Sequence, residues 1–288
     1  MNKQIISFEL TNKMLETLAE IMENLGKLSN VNNLEKLPRL RKVSRIKSIY
    51  SSLAIENNTL SINQVTDLIN GKRVLGPEDD IIAVQNAFRA YKELDSINPY
   101  DLKDLLRIHK IMMNNLVQEA GCLRFGNVGV FNEQRKVIHT APSFKIVKGL
   151  INELFDWVKN SDIQILIKSS IFHYEFEFIH PFSDGNGRMG RLWQTVLLSS
   201  WKPIFKYIPI ESVIKNNQEE YYNAIAQSII NGKLNVFIIF MLNVINKSIK
   251  NILTDSKKHC NHINIQINKL IQVIKKHIHN LHKWLWIN

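Results

Sequence analysis

From Thr11 to Leu28 apolar residues recur every three or four positions (Met14, Leu15, Leu18, Ile21, Met22, Leu25), the spacing of one face of an amphipathic helix. Asn30-Val31-Asn32-Asn33 interrupts the pattern as a loop. Pro38 suits the first turn of a second helix, whose stripe runs through Leu40, Val43, Ile46, Ile49, Tyr50 and Leu53. Glu56-Asn57-Asn58 ends it, because asparagine tolerates the left-handed geometry of a helix C-cap. Ser61-Ile62-Asn63-Gln64 reads as a capping box opening a helix that Gly71 closes. A helix over Pro77 to Leu94 turns Ile81, Ile82, Val84, Ala87, Phe88 and Tyr91 inward, and Asn98-Pro99 begins another through Leu102, Leu105, Ile108, His109 and Met112. His109, among apolar neighbours, is read as a hydrogen-bonded core histidine.

Between Gly121 and Pro142 the helical period disappears. Val128-Gly129-Val130-Phe131 and Val137-Ile138-His139 flank the polar Asn132 to Lys136, the pattern of a β-hairpin. Helical spacing resumes from Phe144 to Val158, with Ser143 as cap, and continues over Ile163 to Phe178, Arg188 to Leu198, Asn217 to Ile230 and Leu234 to Leu253. The expected fold class is all-α, mainly helical, with one small β-hairpin. No repeat or Gly/Ser-rich linker divides the chain, so one fold is expected: N-terminal helices over 1–95, a core over 96–246 and a basic helical tail over 247–288. The tail holds His259, Cys260, His262, His277, His279 and His282, but without the paired intervals of a zinc site. It reads as an amphipathic helix with Ile263, Ile267, Leu270, Ile271, Ile274 and Ile278 inward.

Composition narrows the class. Two cysteines make no disulfide framework, and the first residues have no apolar core followed by a cleavage site. The longest apolar run, Val236 to Leu242, is too short to span a bilayer. The expectation is a cytoplasmic protein with no membrane partner. The net charge of +11 sits at the ends: residues 1–47 carry +4, residues 48–246 balance, and residues 247–288 carry +7. Basic ends can touch nucleic acid, but lysine-rich solvated helix faces are the favoured reading. Self-association as a homodimer is compatible with the sequence.

The chemistry concentrates in His180-Pro181-Phe182-Ser183-Asp184-Gly185-Asn186-Gly187-Arg188-Met189-Gly190-Arg191. Gly185 and Gly187 let backbone N–H groups turn inward at the start of a helix, where amides and the dipole attract phosphate oxygens. Arg188 and Arg191, three apart, share a face from which guanidinium forks grip a polyphosphate. Asp184 brings a hard ligand for Mg2+, Asn186 orients the loop or meets a phosphate oxygen, and His180 takes a proton from an attacking hydroxyl. Phe182 is expected to point into the core.

The stretch resembles the signature of the Fic family, His-x-Phe-x-(Asp or Glu)-Gly-Asn-Gly-Arg-x-x-Arg, with every specified position present. Ser169-Ser170 and Phe172-His173-Tyr174-Glu175-Phe176-Glu177-Phe178-Ile179 in front, and Gly190-Arg191-Leu192 behind, resemble the family's flanks. The resemblance covers roughly residues 40 to 245. It implies a helical Fic fold that transfers AMP from ATP, with Mg2+, to a Ser, Thr or Tyr hydroxyl of a target protein. It also implies that the hairpin is a flap for the target backbone, through Val128, Gly129, Val130, Val137 and Ile138.

Ser52-Leu53-Ala54-Ile55-Glu56-Asn57 resembles the family's inhibitory motif, (Ser or Thr)-x-x-x-Glu-(Gly or Asn). By that resemblance Glu56 pairs with Arg191. A neutralised Arg191 cannot hold the γ-phosphate, and a misplacement of about 1 Å at the α-phosphorus costs on the order of a hundredfold in rate. Three other readings are removal of AMP with Glu56 positioning water, transfer from another nucleotide donor, and a nucleic-acid-binding regulator built on the basic ends. Intact Gly187-Arg188 disfavours the kinase-like variants of the family.

Overall fold

The computed structural model describes residues 7–31, 38–131 and 137–255. Helix α1 (Asn12–Val31) lies against the C-terminal half of the chain, and α2 (Pro38–Ile55) crosses toward the centre. α2 stops as expected. Asn57 adopts φ 64°, and the Asn58 N–H donates to the Leu53 carbonyl at 3.1 Å, the six-to-one bond of a Schellman ending. Two residues assigned to the inward stripe of α1, Leu15 and Met22, are exposed. They stand about 100° round the helix from Met14 and Ile21, which are buried with Leu25 and Leu28. Val43 on α2 is exposed as well.

Helix α3 (Ile62–Ile69) opens on the Ser61/Gln64 capping box, and α4 (Glu78–Lys92) runs into a 3-10 turn at Glu93–Asp95. α5 (Leu102–Met112) begins later than Asn98-Pro99 suggested, because the Asp101 side chain caps it by accepting from the Lys103 N–H. β1 (Gly129–Phe131) and β2 (Val137–Thr140) form an antiparallel ladder that sets Gly129 opposite Thr140 and Phe131 opposite Val137, with a register shift after Val130. α6 (Phe144–Asn160) follows. Ser143 makes no capping bond there; the Phe144 N–H donates to Asn127 Oδ1 at 3.2 Å instead. α7 (Ile165–Ile179), capped by Gln164, and α8 (Asn186–Trp201) pack along each other at the centre. A 3-10 turn at Pro203–Tyr207 leads to α9 (Ile210–Asn216), α10 (Gln218–Asn231) and α11 (Asn235–Asp255).

Two apolar clusters make the core. One joins α2 through α8, the other joins α1 and α9–α11 to the far ends of α7 and α8. The first runs from Ile46 to Leu197, so residue 95 marks no break in packing. α7 is buried nearly all round because both clusters claim it, and its buried residues include the polar Ser169, Ser170, His173 and Glu175. α11 as a whole, unlike the short Val236–Leu242 run, is long and apolar enough to cross a bilayer. Its Phe237, Ile238, Met241, Leu242, Ile245 and Ile249 are instead buried in the second core. The hairpin tip at 132–136 and the His-rich tail from 256 onward lie outside the described residues.

Trp193 of α8 is fully buried and donates its Nε1–H to the Pro99 carbonyl at 3.0 Å. Trp193→Ala is expected to cost about 3–5 kcal/mol of stability, measured by urea unfolding. Glu175 is buried in α7, and burial raises its pKa to about 8. The folded state therefore keeps a proton that the unfolded chain releases near 4.5, so this group's contribution to stability falls as pH rises from about 4.5 to 8. Against the wild type, Glu175→Gln is expected to flatten the fall in melting temperature across that window.

Candidate functional site

The site begins where α7 ends. His180 takes φ 50° and ψ 64°, a left-handed conformation that costs a non-glycine residue roughly 1–2 kcal/mol. A buried guanidinium holds it there. Arg124 donates to the carbonyls of His180 at 2.8 Å, Ile179 at 3.4 Å, Gly126 at 2.7 Å and Pro142, and its own N–H donates to the Pro181 carbonyl at 3.0 Å. A cation at a helix C-terminus meets the negative end of the dipole. Because Gly126 and Pro142 stand at the two feet of the hairpin, one side chain joins the hairpin to His180. The His180 Nδ1 lies 3.3 Å from the Glu177 carbonyl, which can only accept; in the neutral ring Nδ1 carries the proton and Nε2 keeps its lone pair.

The loop after His180 is fixed from inside. Phe182 is buried, as its sequence position suggested, and stacks on His109 with centroids 3.6 Å apart and planes 3° apart. His109 Nδ1 accepts from the Gly121 N–H at 2.9 Å, so Nε2–H donates to the Asp184 carbonyl at 3.0 Å. Burial lowers the His109 pKa to about 4 and keeps the ring neutral. The Asn186 amide both accepts from the Phe182 N–H and donates to the Phe182 carbonyl, each at 2.9 Å. These two bonds are those of a loop-orienting side chain. The helix starts at Asn186, two residues before the expected Arg188, with Gly185 at φ 82° as its cap.

Asp184 is largely exposed. Its Oδ1 accepts from the Gly185 N–H at 2.5 Å, and its Oδ2 pairs with Arg188 at 3.1 Å. Among the described residues no cluster of three His, Cys, Asp or Glu could hold a metal unaided. A single carboxylate oxygen suits Mg2+ when phosphate oxygens and water complete its shell, so the donor set fits that ion only together with a polyphosphate. Arg188 fits the same picture: its Nε is buried and has no hydrogen-bond partner among the described residues.

Arg191 is the most enclosed charge in the site. Its Nε donates to Ser52 Oγ at 3.1 Å, and its Nη2 donates to the Ser52 carbonyl at 3.0 Å and to Glu56 Oε1 at 2.6 Å. Burial is the largest single influence and would lower its pKa; the Glu56 charge and hydrogen bond, with Tyr221 and Glu177 behind, together turn the net shift upward. A Cβ on Gly187 would come within 2.3 Å of Glu56 Oε1, so the motif glycine is what gives the carboxylate its place. Gly190 does the same for a second carboxylate, with Glu177 Oε1 at 2.6 Å from its virtual Cβ. Burial raises the Glu177 pKa to about 7, and the nearby Arg191 charge holds it back. Behind it the buried His173 bonds Gln194 at 2.9 Å and Tyr221 at 2.8 Å.

The structure thus gathers His180, Asp184, Gly185, Asn186, Gly187, Arg188, Arg191, Ser52 and Glu56 at the start of α8. Val128 stands at the hairpin's root, where its carbonyl accepts from the Ala141 N–H at 3.2 Å, while Gly129, Val130, Val137 and Ile138 lie in the ladder itself. Tyr221 is core, and Tyr222 stays partly exposed near Glu56. Sequence reasoning missed Arg124, the loop-holding role of His109, and Glu177. The Arg and Glu lay in segments whose pattern signalled only a turn or an apolar helix.

Residues 99–198 match the model of the Fic/DOC family. A solved Fic family protein from Desulfovibrio desulfuricans superposes with a TM-score of 0.84 at 42% identity, covering 87% of this chain and 77% of that one. The Caenorhabditis elegans protein adenylyltransferase fic-1 is 28% identical over 191 residues, which is 60% of this chain and 34% of the relative. The Aedes aegypti protein adenylyltransferase Fic is 28% identical over 211 residues, 68% of this chain and 39% of the relative. This chain thus spans between a third and two fifths of the length of those two relatives. With the signature intact at the start of α8 and the fold shared at that identity, the chain belongs to the Fic/DOC family.

Proposed function

We propose that this protein is a protein adenylyltransferase that moves AMP from ATP onto a hydroxyl of a target protein and is restrained by Glu56. The observation that carries the reading is the Glu56 carboxylate lodged against Gly187 and Arg191 in the first two turns of α8. That place suits a phosphate: helix N-terminal amides, a glycine without a Cβ and a guanidinium converge on it. The names of the relatives support the class of reaction.

In this mechanism the Asn186 and Gly187 amides at the start of α8 and the two guanidinium groups, Arg188 and Arg191, bind the phosphates and orient the α-phosphorus. Asp184 would hold Mg2+, which when bound neutralises charge on the phosphate oxygens. His180 accepts the hydroxyl proton at Nε2, its ring aimed by the Nδ1–H bond to the Glu177 carbonyl. The target oxygen attacks the α-phosphorus, the bond to the bridging oxygen breaks, and pyrophosphate leaves. The free edge of the hairpin registers an extended target segment beside the base. With Glu56 on Arg191 the terminal phosphate lacks its partner and the in-line geometry is lost.

His180→Ala is expected to lower transfer by roughly 100- to 10,000-fold while ATP still binds, measured with α-labelled ATP and by calorimetry. Retention of full transfer would remove His180 as the base. Glu56→Gly is expected to raise labelling on the order of a hundredfold, most visibly on the protein itself. No rise would dismiss Glu56 as a restraint.

A further inference from the structure

The restraining helix is held at two levels, and only one involves the phosphate site. Ser48, Ser52 and Glu56 stand four residues apart, so they stack along one face of α2 and its end. The upper two engage Arg191. Ser48, one turn and about 6 Å below Ser52, donates its hydroxyl to Glu211 Oε2 at 2.8 Å. The Tyr91 hydroxyl from α4 donates to the other oxygen, Oε1, at 2.7 Å. All three side chains are buried, Glu211 to 1% exposure. One carboxylate in the first turn of α9 therefore ties α2 and α4 together.

The seam around it is polar along its length. Ser51 Oγ lies 3.0 Å from Ser212 Oγ, Lys215 donates to the Tyr50 hydroxyl at 2.8 Å, and Gln218 donates to the Ile55 carbonyl at 3.3 Å. α2 thus meets α9 and the start of α10 by directed bonds from Ser48 to its last residue. Apolar packing alone would tolerate sliding and rotation; hydrogen bonds to a buried carboxyl group do not, because a slipped register leaves its oxygens without partners.

We propose that Glu211 is the positioning residue of the restraint: it sets the height and rotation of α2 so that Glu56 meets Arg191. The inference rests on the reading of Glu56 given above. One residue of slip moves a helix by 1.5 Å and turns it by about 100°, and a contact of 2.6 Å survives neither. Arg191 and Glu211 belong to a near-continuous stretch, α8 through α9, so α2 is clamped at two points of one frame. The sequence sign is Ser-x-x-x-Ser-x-x-x-Glu, one turn longer than the motif quoted above.

The test is a double-mutant series on the full chain, with Ser48→Ala and Glu211→Gln each made in the wild-type and Glu56→Gly backgrounds. Self-labelling from α-labelled ATP and amide hydrogen exchange across 52–57 are both read. Each single change is expected to raise labelling roughly three- to tenfold in the wild-type background and to leave the Glu56→Gly background within twofold. Exchange at 52–57 is expected to speed up while exchange in α7 and α8 holds. A role in folding alone predicts the opposite, an equal fall in both backgrounds. That result overturns the proposal, as do unchanged exchange in Ser48→Ala, or no rise in labelling where Glu56→Gly itself rises. If Glu56→Gly does not rise, the restraint itself fails, and the exchange result still decides whether Glu211 fixes α2.

Discussion

A guanidinium cannot shed its proton to escape burial, so a buried arginine obliges the surrounding fold to supply negative charge. Arg191 imposes that obligation at the centre of this protein. Glu56 meets it from α2, Ser52 adds a hydroxyl and a carbonyl, and Glu177 stands behind. The two glycines of the first turns of α8 exist in the same arrangement, since a methyl group at either would collide with one of the two carboxylates. The helix that carries Glu56 must then be held by something other than the ion pair, and the polar seam with α9 does this.

His180 is organised by a separate constraint. His180 sits in a left-handed turn, and Arg124 offsets the strain by collecting carbonyls from the end of α7 and from both feet of the hairpin. His109 and Asn186 complete the loop from within, one through the Asp184 carbonyl and the other through the Phe182 backbone. The result is a loop whose backbone at His180, Pro181, Phe182 and Asp184 is held by the protein's own groups.

Much of this was legible in the chain. The helices followed from apolar spacing, the Ser61 box and the Asn57 ending from local chemistry, and the site from a dense motif. What escaped notice has a common physical origin. Asp101 and Gln164 displaced two expected helix starts, and Asn127 took the capping role expected of Ser143 while α6 still begins at Phe144, because a cap depends on which oxygen reaches a free N–H, a matter of tertiary placement. Arg124 and Glu211 are single charged residues in unpatterned or short segments, and their partners lie far along the chain. Leu15, Met22 and Val43 looked inward because an apolar residue near a stripe reads as part of it until the helix's rotation is known.

The place cleared by Gly187 has a quantitative consequence. On the proposed reading, a carboxylate that belongs to the chain and a phosphate that arrives from solution compete for one cavity, which makes Glu56 a tethered ligand. Its strength is set by an effective concentration, a property of the linker and not of the contact alone. α2 is a short, stiff linker whose end is aimed at its target, so that effective concentration is high. Raising free nucleotide would overcome it only slowly, whereas a change in the aim of α2 would lower it at once.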